Sequence, residues 1–294
     1  MIPLKVPAHG SPLLLALLTL VASGATGPLP PGLAAPHAAA QAKRPQSQAA
    51  QAKPAGAKAA SRPNVLLLVG DDIGLADTGP YGSEIDTPHL NQLAAEGVRF
   101  TNSHVSPVCS VTRGELLTGN NNIEVGLGTF DYLVYGPSKG KPGYEGYLTR
   151  NTVMISELLR DAGYNTVMAG KWHLGLGDGA IDWNGEIKPS TNEIGFDESF
   201  IMAATGDRVP TVFIRDHKVV NLDPADPIHV SYKLQFPGEP DGKKDRASLK
   251  MDWSEGHNMA VVNGIGRIGF MKGGTKARWN DETMAADFTK EAVG

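Results

Sequence analysis

The 294-residue chain has a single cysteine, Cys109. The lack of others excludes an intramolecular disulfide framework and any zinc or iron–sulfur site built from several thiolates. Acidic side chains are absent from residues 1–63, which hold Lys5, Lys43, Arg44, Lys53, Lys58 and Arg62. The rest of the chain therefore carries 21 basic against 31 acidic residues, a charge of about -10. So acidic a part repels phosphate backbones, which excludes a general nucleic-acid binder. An apolar run long enough to cross a bilayer is missing near the amino terminus as well. The run Leu13 to Ala22 is ten residues, apolar except for Thr19. It follows Lys5 and precedes Ser23, Gly24 and Ala25, the layout of a secretory signal. No cysteine stands nearby to take a lipid. The expected product is exported, periplasmic or secreted, with no stable membrane insertion.

Organisation along the chain follows from composition. Residues 1–25 read as the signal. Residues 26–63 are mostly Ala, Pro, Gln, Gly and Lys, with almost nothing to bury, and read as a disordered tether. From residue 64 onward the chain reads as one folded domain. Val65 to Val69 is a continuous apolar run, as in a strand covered on both faces, and Gly70-Asp71-Asp72 breaks it. Thr87 and Pro88 open a predicted helix with Leu90, Leu93 and Ala94 on one face and Gly97 at its end. Val98 to Phe100 reads as a second strand. Thr152 to Gly163 is a predicted helix with Val153, Ile155, Leu158, Leu159 and Ala162 as its apolar stripe, and Asn165 to Ala169 returns to strand. Thr211–Ile214 and Lys218–Val220 flank Arg215-Asp216-His217 as a hairpin. Asp281 is placed to cap a last helix, in which Met284, Phe288 and Ala292 recur every four residues. Alternation of strand and helix predicts an α/β fold, a mostly parallel sheet with helices on both faces.

Three clusters carry candidate chemistry. Asp71 and Asp72, at the end of the first expected strand, offer hard oxygens for Ca²⁺ or Mg²⁺, and read blandly they are a cap or a solvated turn. Cys109 opens Cys109-Ser110-Val111-Thr112-Arg113-Gly114. If a helix starts there, Arg113 lies on the same face as the sulfur, and the helix amino end adds partial positive charge. A free cysteine is otherwise a small buried hydrophobe. Gly170-Lys171-Trp172-His173-Leu174-Gly175 follows a predicted strand, so Lys171 and His173 point one way and Trp172 the other. An ammonium beside an imidazole suits an oxyanion that is gripped and polarised. His229 and His257 receive no role beyond surface or local hydrogen bonding.

The order and spacing of these segments, with Gly163-Tyr164-Asn165-Thr166 before the lysine cluster, resemble the type I sulfatases, the arylsulfatase family. Gly195-Phe196-Asp197 and Asp207-Arg208-Val209-Pro210 continue the likeness more softly. The resemblance implies an alkaline-phosphatase-like fold and hydrolysis of a small-molecule or glycan sulfate ester. It implies that a formylglycine-generating enzyme converts Cys109 to formylglycine, the nucleophile precursor, with Arg113, Lys171 and His173 completing the catalytic set. Asp71, Asp72 and the converted Cys109 are the implied ligands of Ca²⁺, with Mg²⁺ the alternative. Thr205 stands near a hydroxyl position of the family. Two features depart from the pattern. The motif reads Cys-x-Pro-x-Arg or Cys-x-Ala-x-Arg in the family, and Val111 occupies its third position here. A leaving-group histidine, an Asp-Asn pair and a further lysine have no counterpart in residues 64–294, so the chain reads as the amino-terminal part of the domain, truncated at its C-terminus. Two alternatives are a non-catalytic binder of sulfated ligands and a phosphatase-type hydrolase of the same superfold.

Overall fold

The computed structural model describes residues 62–129 and 136–294. The expected signal, and the tether apart from Arg62 and Pro63, lie outside the described residues. By its contacts the chain divides into two units at Leu66 and Leu67. Apart from residues 62–66, the described residues belong to the second.

That unit is a mixed α/β structure. Helices α1 (Pro88–Glu96), α2 (Cys109–Thr118) and α3 (Ile155–Asp161) precede a four-stranded sheet. The sheet runs in the order β1 (Val167–Lys171), β2 (Glu198–Met202), β3 (Phe213–Arg215), β4 (Lys218–Val219). β1 and β2 are parallel, with Val167 opposite Glu198 and Lys171 opposite Met202. β3 and β4 are antiparallel additions, joined by a turn in which Asp216 takes φ of 53°. This is the expected hairpin. β5 (His229–Ser231) pairs with β8 (Phe270–Lys272), and β6 (Val261–Val262) with β7 (Ile265–Gly266). Helix α4 (Met284–Val293) follows.

The sheet separates two packed regions by strand alternation. Ile201 and Ile214 point into the main core with Val125, Leu127, Trp172 and Leu174. Phe200, Met202 and Phe213 point the other way, onto Trp279 and the Met284 and Phe288 side of α4. The Phe213 ring lies 5.6 Å from Trp279 and 5.2 Å from Phe288 between centroids. The Met284 and Phe288 period thus marks a packed face. Asp281 does not cap this helix. Thr283 stands at its N-cap, and Asp281 is drawn instead to the buried Arg267 at 2.6 Å. Gly195, at φ of 103°, lets the 194–197 turn lie on the first turn of α3, where a Cβ would strike the Glu157 backbone nitrogen. Ser156 Oγ donates to the Ile194 carbonyl at 2.6 Å from the same contact.

Some expected elements differ. Val65–Val69 and Val98–Phe100 form no ladder among the described residues, and Leu68 and Phe100 are exposed at 68% and 70%. Apolar character can mark a strand, but a strand exists only where a neighbour takes its amide and carbonyl groups. α1 and α3 form where expected, α3 two to three residues shorter at each end, yet Leu93 and Leu158 stay exposed. Met154 and Ser156, outside the expected stripe, are the buried residues at the start of α3.

Phe213 is 8% exposed and touches three aromatic rings. Phe213→Ala is expected to cost about 3 to 5 kcal/mol, read as a lower midpoint in urea denaturation. A midpoint unchanged from the parent would show that the aromatic layer contributes little.

Candidate active site

α2 begins at Cys109, which meets the condition for a helix amino end beside the sulfur. The hydroxyl of Thr112 donates to the Ser106 carbonyl at 2.9 Å, and Ser106 Oγ donates to Glu115 Oε2 at 2.8 Å, so the approach to the helix is tied to its second turn. Ser110 and Val111 are buried. Cys109 is only partly buried. Gly114 is buried, and a Cβ there would strike the Leu127 side chain, so the helix sits close to the core.

β1 delivers the other half of the site. Its parallel pairing continues beyond Lys171, since Trp172 N–H donates to the Met202 carbonyl at 3.0 Å and His173 N–H to the Ala203 carbonyl at 3.1 Å. Trp172 is buried in the core, with its indole N–H on the Gly175 carbonyl at 2.7 Å. Lys171 and His173 turn toward the site, as the two-residue spacing predicts, with His173 at φ of 59°. Its Nδ1 lies 3.2 Å from Cys109 Sγ. The guanidinium of Arg113 donates to the Lys171 carbonyl at 2.8 Å, which locks helix and strand end together. Lys171 Nζ reaches both oxygens of Asp71 at 2.9 and 3.0 Å, and Arg113 Nη2 lies 3.7 Å from the same carboxylate. Cys109, Arg113, Lys171, His173 and Asp71 therefore meet at one place, from segments 38 to 102 residues apart. No partner of the Asp72 side chain is among the hydrogen bonds and ion pairs of the site, and its backbone takes φ of 53°.

An oxyanion fits this arrangement. The amino end of a ten-residue helix and two cations with largely buried side chains surround the Cys109 position, offset by Asp71. A hard divalent cation fits less well. Among the described residues no three His, Cys, Asp or Glu side chains gather as ligands. Ca²⁺ takes six or more oxygens, and Asp71 already faces an ammonium, so these residues do not by themselves form its shell.

A cavity of about 900 Å³ opens from His173. Its wall includes Thr205 and Arg208, from the loop that follows β2. Thr205 Oγ1 donates to the Asp207 carboxylate, whose other oxygen lies 2.6 Å from His257 Nε2. His257 is thus more than a local surface group. Its Nδ1 does meet Ser254 at 3.1 Å, but its stronger contact spans 50 residues. Nothing in the linear sequence signals that pairing. His229 lies on β5, with its ring 6.2 Å from Phe236 and away from the cysteine.

The comparisons with known proteins follow this geometry. Residues 63–207 match the sulfatase family model. The N-acetylgalactosamine-6-O-sulfatase of Bacteroides thetaiotaomicron is 38% identical over 239 residues, 79% of this chain and 44% of that protein. The chain belongs to the type I sulfatase family. An arylsulfatase of Klebsiella aerogenes is 38% identical over 182 residues, covering 57% of this sulfatase chain and 37% of that enzyme. A solved structure from the glycosaminoglycan-metabolism locus of Bacteroides thetaiotaomicron aligns with a TM-score of 0.65 and 39% identity, over 76% of this chain and 45% of that one. The sulfatase chain thus spans less than half the length of these relatives. Among its described residues no helix is long and apolar enough to cross a membrane.

Two carboxylates behind the cavity loop make a pH dependence. Burial raises the Asp207 carboxyl, but hydrogen bonds from Thr205 and His257 outweigh it and hold the group below the usual range. Burial likewise raises Asp281, and hydrogen bonds from Arg267 and Asn263 pull it below. A depressed carboxyl stabilises the fold above its unfolded pKa of about 3.9, and that stability is lost as pH falls through the lower folded value. Thermal unfolding scans should show a flat melting temperature at neutral pH that declines below about pH 4, with a shallower decline in Asp281→Asn. Parallel declines in the two proteins would remove Asp281 from the account.

Proposed function

We propose that this chain is the amino-terminal part of a sulfuric ester hydrolase whose nucleophile derives from Cys109. The observation that carries this reading is the contact of Cys109 Sγ with His173 Nδ1 at 3.2 Å, at a helix amino end flanked by Arg113 and Lys171. The family to which the chain belongs supports the sulfate ester as the bond cleaved. A formylglycine at position 109 supplies, as its hydrate, the oxygen that attacks sulfur and the second hydroxyl whose loss of a proton releases sulfate.

The chain's own residues bind and orient. Arg113 and the helix amino end hold negative charge on the sulfate oxygens. Lys171, shared with Asp71, adds a second cation that cannot drift from the strand end. His173 hydrogen-bonds the side chain at position 109 and keeps it turned to the cavity. Asp71 and Asp72 are our candidates for part of a Ca²⁺ shell, and no step is derived through the ion. A small-molecule or glycan sulfate ester is the proposed substrate, a formylglycine-generating enzyme the proposed partner, and export through residues 1–25 the proposed route.

Binding tests the site directly. Arg113→Met and Lys171→Met should each weaken 4-nitrophenyl sulfate by roughly tenfold in titration calorimetry, because each removes a charge-assisted hydrogen bond. Undiminished affinity in both would refute the anion site. Turnover of the same compound by residues 1–294 with added Ca²⁺ should be undetectable, since the described residues do not form the shell; clear hydrolysis would contradict this.

Position 111 allows a test of the modification. Val111 is the third residue of α2, where the amide has no carbonyl within the helix to bond, so proline is compatible with the fold. Proline also presets the extended shape read by a modifying enzyme. Val111→Pro, coexpressed with a formylglycine-generating enzyme, should raise the fraction of converted Cys109 in peptide mass spectra. Equal fractions in parent and variant would count against a role for Val111.

A further inference from the structure

The two cations of the anion site already hold an anion, and it belongs to the chain itself. Lys171 Nζ meets both oxygens of Asp71 at 2.9 and 3.0 Å, and Arg113 Nη2 stands 3.7 Å from the same carboxylate. A carboxylate and a sulfate ester each carry one negative charge, spread over two oxygens in the first and three in the second. On these donors Asp71 takes the acceptor positions that sulfate oxygens need. With both oxygens on Lys171 it is also withheld from a hard cation.

The three partners are not equally fixed. The side chains of Lys171 and Arg113 are 8% and 11% exposed, whereas that of Asp71 is 45% exposed. Lys171 ends β1, and Arg113 lies on α2 and donates to the Lys171 carbonyl at 2.8 Å, so both cations are built into the frame of the unit. Asp71 comes from a run that forms no ladder among the described residues, and Leu68, Ile73 and Leu75 on either side of it are exposed. The 3₁₀ turn that follows, Leu75–Asp77, is tied to itself, with Gly74 N–H donating to Asp77 Oδ2 at 2.6 Å. A segment with so little buried surface opens locally at small cost. An ion pair with one exposed partner is likewise weak enough to be exchanged for a ligand, yet the ligand must displace it first.

We propose that Asp71 is an autoinhibitory carboxylate, which occupies the Lys171 and Arg113 pair and swings away when a sulfate group takes its place. This rests on the anion site of the sulfatase reading and adds a competitor that the chain itself supplies. The apparent affinity for a sulfate ester is lowered by the fraction of molecules in which the pair is closed.

The test titrates 4-nitrophenyl sulfate into the whole chain by calorimetry, at about 0.15 M salt so that distant charges are screened. Asp71→Asn and Asp71→Ala should each bind about three- to tenfold more tightly than the parent, and either variant suffices if the other does not fold. Glu96→Gln makes the same change of net charge at an exposed residue of α1 and should bind like the parent. A second reading needs no variant. In the parent, amide hydrogen exchange of residues 67–77, followed by mass spectrometry, should quicken when the sulfate ester is bound, because binding frees Asp71. Gains in the Asp71 variants no larger than in Glu96→Gln, or exchange that slows or stays the same, would overturn the autoinhibitory role and spare the anion site. Failure of the parent and both Asp71 variants to bind would overturn the anion site as well.

Discussion

Two hydrogen bonds beyond the end of β1, from Trp172 N–H to the Met202 carbonyl and from His173 N–H to the Ala203 carbonyl, carry the parallel ladder past the sheet and into the site. Because of them, the imidazole that faces Cys109 and the loop that forms the cavity wall leave the sheet side by side. Trp172, buried between them, makes the alternation rigid: with its indole in the core, its neighbours Lys171 and His173 are turned to the opposite side. Ligand sites in parallel sheets form beyond the carboxyl ends of the strands for this reason, since only there do adjacent loops diverge from a common fixed edge.

The site divides into two parts with different electrostatic logic. At the Cys109 end, a helix amino terminus, Arg113 and Lys171 concentrate positive charge, and Asp71 offsets part of it. In the cavity beyond, cations and carboxylates are balanced and aromatic side chains fill the gaps. One end suits a single anion and the other a neutral polar body. The junction is held by the Arg113 guanidinium on the Lys171 carbonyl and, further on, by the Arg267 and Asp281 pair behind Gly206. Neither buried arginine is a surface ion pair of small effect, because each ties its charge to backbone carbonyls as well.

Several apolar side chains of the unit stay exposed. Leu68, Leu93, Phe100 and Leu158 belong to segments that the pattern assigns to a covered sheet and its helices, and they stay open among the described residues. The chain spans 44% of the N-acetylgalactosamine-6-O-sulfatase it matches, and the solved structure is matched over 45% of its length. Among the described residues, no third His, Cys, Asp or Glu side chain joins Asp71 and Asp72 in a group that could hold a metal ion.

The sequence by itself determined the elements whose signals are local: α1 from Pro88 in its first turn, the hairpin around Asp216, the packed Met284 and Phe288 face, and the opposite directions of Trp172 and Lys171. These depend on a first-turn proline, turn conformation and side-chain period, all readable within a few residues, whereas the expected cap at Thr87 does not form: its hydroxyl accepts from Gly79 N–H instead. Tertiary structure alone decided which apolar runs become strands, because a ladder needs a neighbour that the run does not encode. It alone moved Asp281 from a helix cap to the buried Arg267, and it paired His257 with Asp207 across 50 residues. Charges out of water take the partner that satisfies them best, and which partner is near is a property of the folded chain.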